Sequence, residues 1–334
     1  MNRDKNVNIK VLMAKIQKEI SKPFKERIQM GYVERRTELT PAELSYAVRL
    51  FRVQFNSMIN NLLKSVSIPS GFSWKKVDAN GVSAEYQEPR DVDGNRTILY
   101  IHGGAFFVGS AAVYRKCTAA MAEQFHARVL SIDYRLAPEH AFPAALDDCI
   151  MAYKWLLSKN IRPEDIIIAG DSAGGTLCLS TLLKLKQDGL PEPRAAICFS
   201  PATDFTYSGA SWTSNAKTDP IIRFIPSSCY IISVMYAGNA EPTNPLVSPL
   251  FGNYRGLPPI LIQVSKNEML YSDATRVAEK AKKDGVNVTL QEWEGMIHVF
   301  QCFGIGTNWP EVFDALSKVK TFIDEVFQGE PPQT

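Results

Sequence analysis

IIIAGDSAGG, residues 166–175, joins a run of β-branched apolar residues to a helical stretch through a single serine. Ile166, Ile167, Ile168 and Ala169 read as a strand buried on both faces. Thr176 to Gln187 then offers Leu177, Leu179, Leu182, Leu183 and Leu185 as the apolar positions of a helix. Ser172 therefore stands on a strand-to-helix turn. Gly170 and Gly174, two residues away on either side, permit a tight backbone there and leave the hydroxyl uncrowded. A glycine-rich connection with an ordinary capping serine reads the same way in isolation, so the rest of the chain has to decide.

The composition bounds that decision. With 334 residues, 45% hydrophobic and 22% charged, there is material for one large domain with a small appendage. A formal net charge of +2 makes no electrostatic case for nucleic acid or an anionic membrane surface. The opening MNRDKNVNIK is polar, and no stretch reaches the roughly 18 apolar residues of a spanning helix. A cytoplasmic protein with neither nucleic-acid nor membrane partner is expected. Cysteines at 117, 149, 178, 198, 229 and 302 form no C-x-x-C pair, and buried free thiols fit their apolar contexts better than disulfides or zinc ligands.

Two helices precede any strand. Ile9, Leu12, Met13, Ile16 and Ile20 recur at helical spacing, and after Pro41 a longer helix carries Leu50, Phe51, Phe55, Ile59, Leu62 and Leu63. Such a segment serves either as a lid over a site or as packing at the sheet edge. From Ser73 the pattern changes to strands, first a pair across Trp74 to Tyr86 turning at Asp78-Ala79-Asn80-Gly81. Strands follow at 97–101, 127–132, 166–169, 195–199, 260–264 and 288–293. Helices at 114–125, 144–158, 176–187 and 273–284 separate most of them. This alternation predicts a mostly parallel α/β sheet covered on both faces, with ligands bound beyond the carboxyl ends of the strands.

Four loops follow strand ends. His102-Gly103-Gly104-Ala105-Phe106-Phe107 places consecutive small residues where backbone N–H groups can face a developing oxyanion. Asp133-Tyr134-Arg135-Leu136-Ala137-Pro138-Glu139-His140 reads as a structural brace, with Arg135 expected to pair with Glu139 or Asp147 and His140, beside Pro138 and Pro143, as a packed loop residue. A serine hydroxyl becomes a nucleophile when a histidine accepts its proton, and that histidine needs a carboxylate partner. His298 follows the last strand and Glu268 follows the strand at 260–264, so the order along the chain is Ser172, Glu268, His298. Asp273, on the following helix, is the fallback acid. Asp204 and Asp219 are expected to hydrogen-bond loops.

HGGAFF, DYRLAPEH followed by FPAALDD, GDSAGG, the Glu268 segment and GMIHVF together resemble the hormone-sensitive-lipase-like esterases of the α/β-hydrolase superfamily, over residues 40–325. The resemblance implies an eight-stranded sheet and a helical cap made of residues 1–50 and 205–250. Residues 51–204 and 251–334 would then form the catalytic domain. It also implies carboxylester hydrolysis with neither cofactor nor metal, and a homodimer. Ser172 corresponds to the nucleophile and His298 to the general base. Gly103, Gly104, Ala105 and Ala173 are the oxyanion-hole positions, with Gly104, Ala105 and Ala173 the preferred donors. Asp171 takes a structural role. Glu268 stands where the commoner pattern has Asp-Pro-Leu, and Ala105 replaces a third glycine that the family links to esters of tertiary alcohols.

Phe205, Tyr207, Trp212, Phe224 and Ile225 are candidates for lining the substrate pocket. A small-molecule ester with a short to medium acyl chain is the expected substrate. An amide or arylacetamide hydrolase, or a non-catalytic small-molecule binder of the same fold, are the alternatives. His298, absent from the gibberellin-receptor relatives, favours an enzyme.

Overall fold

A computed structural model describes residues 10–11, 14–15, 39–222 and 235–329. The helix expected over residues 8–21 lies largely outside them. Pro41–Leu62 forms helix α1, opened by a capping box in which the Thr40 hydroxyl accepts from the Glu43 N–H and the Glu43 carboxylate accepts from the Thr40 N–H. It runs without a break through residue 50, where the boundary between cap and catalytic domain was expected.

Eight strands make one sheet in the order β1-β2-β4-β3-β5-β6-β7-β8. They are β1 (Ser73–Asp78), β2 (Ser83–Glu88), β3 (Thr97–Ile101), β4 (Arg128–Ile132), β5 (Ile166–Asp171), β6 (Ala195–Phe199), β7 (Ile260–Ser265) and β8 (Val288–Trp293). β1 and β2 are the antiparallel hairpin, β2 is antiparallel to β4, and every later pairing is parallel. The intervening helices are α2 (Ala111–Phe125), α3 (Ala144–Ser158), α4 (Ala173–Gln187), the short α5 (Ser211–Ser214), α6 (Tyr271–Lys283), the short α7 (Phe300–Phe303) and α8 (Pro310–Gln328).

The strands alternate their apolar residues between two cores. Leu99, Ile101, Leu130, Ile132 and Ile168 face α3, α4 and α6, whereas Ile98, Tyr100, Val129, Ile167 and Ala169 face α2 and α8. Burial on both faces explains why the central strands read as continuous apolar runs. β3 has β4 on one side and β5 on the other, so the winding reverses between them. The crevice at that switch point receives the loop after β3 and the turn after β5.

Gly174 is required by close approach at this crossing. A Cβ there would lie 1.9 Å from the carbonyl oxygen of Ile101 and 2.8 Å from that of His102, both backbone atoms that cannot swing away. Gly174→Ala is expected to cost about 3 kcal/mol and to lower Tm by roughly 4 °C, read by thermal denaturation. An unchanged Tm would show that α4 does not seat against β3 this closely. Among the described residues, no helix is long and apolar enough to cross a membrane. Cys117, Cys149, Cys178, Cys198 and Cys302 are free and buried, and Cys229 lies outside the described residues.

Candidate active site

β5 ends at Asp171 and α4 begins at Ala173, which leaves Ser172 alone on the turn with φ +53° and ψ −118°. This conformation costs a side-chain-bearing residue on the order of 1–3 kcal/mol and persists only where the surroundings enforce it. The enforcement is visible: the Ser172 N–H donates to Phe199 O at 2.7 Å, continuing the β5–β6 ladder, while Ser172 O accepts from Thr176 N at 3.0 Å in the first turn of α4.

Glu268 sits in the turn after β7, and His298 in the loop after β8. Adjacent parallel strands bring them together: His298 Nδ1 lies 2.5 Å from Glu268 Oε2, with both side chains buried. The other carboxylate oxygen, Oε1, accepts from the Ser265 N–H at 2.7 Å and the Ser200 hydroxyl at 2.8 Å. An ionised carboxylate can only accept, so Nδ1 carries the proton in this pair and Nε2 remains a base. Burial opposes the imidazolium, but the Glu268 carboxylate, aided by Asp219 and Asp171, outweighs it and holds the His298 pKa above its ordinary 6.5.

Asp273, the fallback acid, is committed elsewhere. It accepts from the Thr203 and Asp204 N–H groups at 2.8 and 3.0 Å and from Trp212 Nε1 at 2.9 Å. Burial and then the neighbouring Asp204 raise its pKa to about 7. Asp204 caps its own loop through Thr206 and Ser208 and pairs with Arg276 at 2.7 Å. Asp219 accepts from the Ile221, Ile222 and Met269 N–H groups, each at 2.8 Å, and so ties its loop onto the turn that carries Glu268.

The loop after β3 turns through consecutive positive φ values at Gly104 (+116°), Ala105 (+51°) and Phe106 (+68°), with Gly104 O accepting from the Phe107 and Val108 N–H groups. Gly104 needs glycine on two counts, its φ of +116° and a Cβ that would meet Val108 O at 2.3 Å. Among the described residues no acceptor meets the Gly104 or Ala105 N–H, and both residues line the cavity that contains Ser172. Gly103 departs from the expectation. Its N–H donates to Asp171 Oδ1 at 2.9 Å, so this amide anchors the loop and is not available to an oxyanion.

Asp171 also accepts from the Tyr100 hydroxyl at 2.8 Å and the Tyr114 hydroxyl at 3.1 Å. Burial raises its pKa to about 6, against the pull of these donors. Neither tyrosine was singled out in the sequence. The signal available was a tyrosine inside the otherwise aliphatic strand Thr97-Ile98-Leu99-Tyr100-Ile101, since a buried phenol needs a polar partner.

Ser172 and His298 open onto one cavity of about 350 Å³. Phe51, Phe55 and Met58 of α1 form one wall, Phe107 and Val108 another, with Pro220 and Ile221 also lining it. The aromatic residues expected there behave differently. Phe205, Tyr207 and Trp212 are buried in the core, with Phe205 edge-on to Phe106 at 5.9 Å and Tyr207 edge-on to Trp212 at 4.9 Å. They are absent from the cavity lining, and Phe224 and Ile225 lie outside the described residues. Arg135 is also corrected. It pairs with Asp148 at 2.7 Å, because that buried carboxylate also takes the Arg135 N–H, while Glu139 is engaged by Arg52. His140 lies in a loop, as expected, but is exposed there and not packed.

The family model for the alpha/beta hydrolase fold matches residues 98–302. An acetyl-hydrolase of Streptomyces hygroscopicus is 33% identical over 279 residues, covering 84% of this chain and 88% of that protein. An esterase of Acinetobacter venetianus is 33% identical over 283 residues, 85% of this chain and 91% of its own length. The crystal structure of an esterase from the bacterial hormone-sensitive lipase family superposes with a TM-score of 0.79 at 31% identity, over 96% of this chain and 98% of that one. By sequence, strand order and fold, this chain belongs to the hormone-sensitive-lipase-like family of α/β-hydrolase esterases.

Proposed function

We propose that the protein is a carboxylesterase that hydrolyses short- to medium-chain acyl esters through a covalent acyl-enzyme, as a soluble cytoplasmic enzyme acting on small molecules. The observation that carries this reading is the placement of His298, with Nδ1 on the Glu268 carboxylate at 2.5 Å and its ring on the cavity that Ser172 also lines. Ser172 Oγ attacks the ester carbonyl while His298 Nε2 takes its proton, and Glu268 stabilises the imidazolium that forms. The tetrahedral oxyanion is met by the N–H groups of Gly104 and Ala105, with that of Ala173 at the start of α4. His298 then gives its proton to the leaving alkoxide. Water, deprotonated by the same imidazole, releases the acid and regenerates Ser172.

The acyl preference follows from the walls. Phe51, Phe55, Met58, Phe107 and Ile221 reward apolar chains, and a cavity of about 350 Å³ limits how much chain they can bury. On p-nitrophenyl esters from acetate to palmitate, kcat/KM is expected to peak between butyrate and octanoate. A maximum at palmitate would overturn the chain-length assignment, and absence of Ser172-dependent turnover on every ester would overturn the esterase reading itself.

A further inference from the structure

Arg52 leaves α1 and ends on two loop segments, at Phe107 and at Ala137 to Glu139. Its Nε donates to Phe107 O at 2.7 Å and its Nη2 to Ala137 O at 3.0 Å, and Nη1 and Nη2 grip the Glu139 carboxylate at 2.9 and 2.8 Å. Phe107 belongs to the turn that presents the Gly104 and Ala105 amides, since its own N–H closes onto Gly104 O at 3.1 Å. Ala137 is bound to the same turn, donating its N–H to Phe106 O at 2.9 Å. One guanidinium thus holds the outer end of the oxyanion turn directly and through its neighbour. The residue preceding it, Phe51, lies against the Phe107 ring at 5.2 Å between centroids, and both rings face the cavity.

We propose that Arg52 is a positioning residue that ties the pocket wall supplied by α1 to the oxyanion turn, so that acyl-chain binding and oxyanion stabilisation are set by one side chain. The inference rests on the esterase reading for its kinetic consequences, whereas the tie itself does not. The physical argument is one of geometry. A planar guanidinium can serve two carbonyls and a carboxylate at once, which neither an ammonium nor an apolar side chain of similar length can do. The Arg52–Glu139 pair is partly exposed and by itself contributes little. The two bonds to buried-side carbonyls are the part that fixes the loop, because a displacement of a fraction of an ångström at Phe107 is passed to Gly104 through their shared turn.

The test uses the full chain and the variants Arg52→Met and Arg52→Lys, with rates taken per active site titrated by a p-nitrophenyl phosphonate. For Arg52→Met, kcat on p-nitrophenyl acetate is expected to fall about tenfold with KM within about twofold, because displacing a donor costs less than removing one. On the octanoate ester KM is expected to rise in addition, since only the longer chain reaches the α1 wall. Arg52→Lys should fall between wild type and Arg52→Met.

Hydrogen–deuterium exchange, measured without substrate, should rise about tenfold both over residues 104–108 and over residues 51–58 in Arg52→Met. Unchanged exchange over 104–108 would overturn the tie, and equal losses on acetate and octanoate would overturn its coupling to the α1 wall. Raised exchange in a protein whose wild type hydrolyses neither ester would support the tie and overturn the esterase reading.

Discussion

Ser172→Ala is expected to lower kcat on p-nitrophenyl butyrate by about 10⁴- to 10⁶-fold while leaving the fold and the cavity intact. The residue that remains after acyl transfer is blocked still has the Gly104 and Ala105 amides beside a bound ester, so a small Ser172-independent rate above water is part of the expectation. Stability should move in the opposite direction to activity. Ser172 holds φ +53° without being glycine, and Ser172→Gly relieves that strain, raising stability by about 1 kcal/mol as catalysis disappears. Stopped-flow burst amplitudes together with thermal denaturation would check both halves. A Ser172→Ala protein that retains more than a hundredth of the wild-type rate would assign the nucleophile elsewhere.

Glu268→Gln is expected to reduce kcat by about 10³- to 10⁴-fold, although the replacement is isosteric. The reason lies in the other side of the carboxylate. Oε1 already accepts from the Ser265 N–H and the Ser200 hydroxyl, so a glutamine there places its carbonyl on those donors and its NH₂ toward His298 Nδ1. A donor facing Nδ1 forces the proton of the neutral ring onto Nε2, where it can no longer accept from Ser172.

The pH profile carries the second signature of this pair. Only neutral His298 can act as base, so kcat/KM rises with pH through the His298 pKa, and the Glu268 carboxylate places that limb above pH 6.5 in the wild type. With Glu268→Gln the burial penalty on the imidazolium is left with less opposition, and the limb moves to lower pH. Asp273→Asn is the contrast. Its carboxylate serves Thr203, Asp204 and Trp212, so the variant is expected to lose stability but to stay within about tenfold in kcat per folded molecule. Reversal of these two outcomes would make Asp273 the acid.

Strand periodicity, the Gly-Asp-Ser-Ala-Gly turn and the order Ser172, Glu268, His298 are local properties, and they were legible because each is decided by neighbours in the chain. An aliphatic run such as Ile166 to Ile168 has few ways to satisfy itself other than as a central strand, and a parallel sheet then brings the loops after β3, β5, β7 and β8 to one edge. The sequence by itself therefore determined the fold class and which loops meet. What it left undecided is which partner each polar group finds when several are within reach.

The tertiary structure made those choices. Arg135 takes Asp148, which α3 turns inward, in preference to the sequence-near Glu139 and Asp147, and Glu139 goes to Arg52, 87 residues away in the chain. Gly103 gives its N–H to Asp171, 68 positions later, and is withdrawn from the oxyanion donors. The aromatic stretch Phe205 to Trp212 read as pocket lining because its composition is apolar, but composition does not record direction. Once Asp204 and Asp273 fasten that segment against α6, its rings turn into the core and the wall of the cavity falls to Phe51, Phe55 and Met58 of α1. Those pairings depend on side-chain direction and on distances closed only when the sheet is complete, which no spacing along the chain encodes.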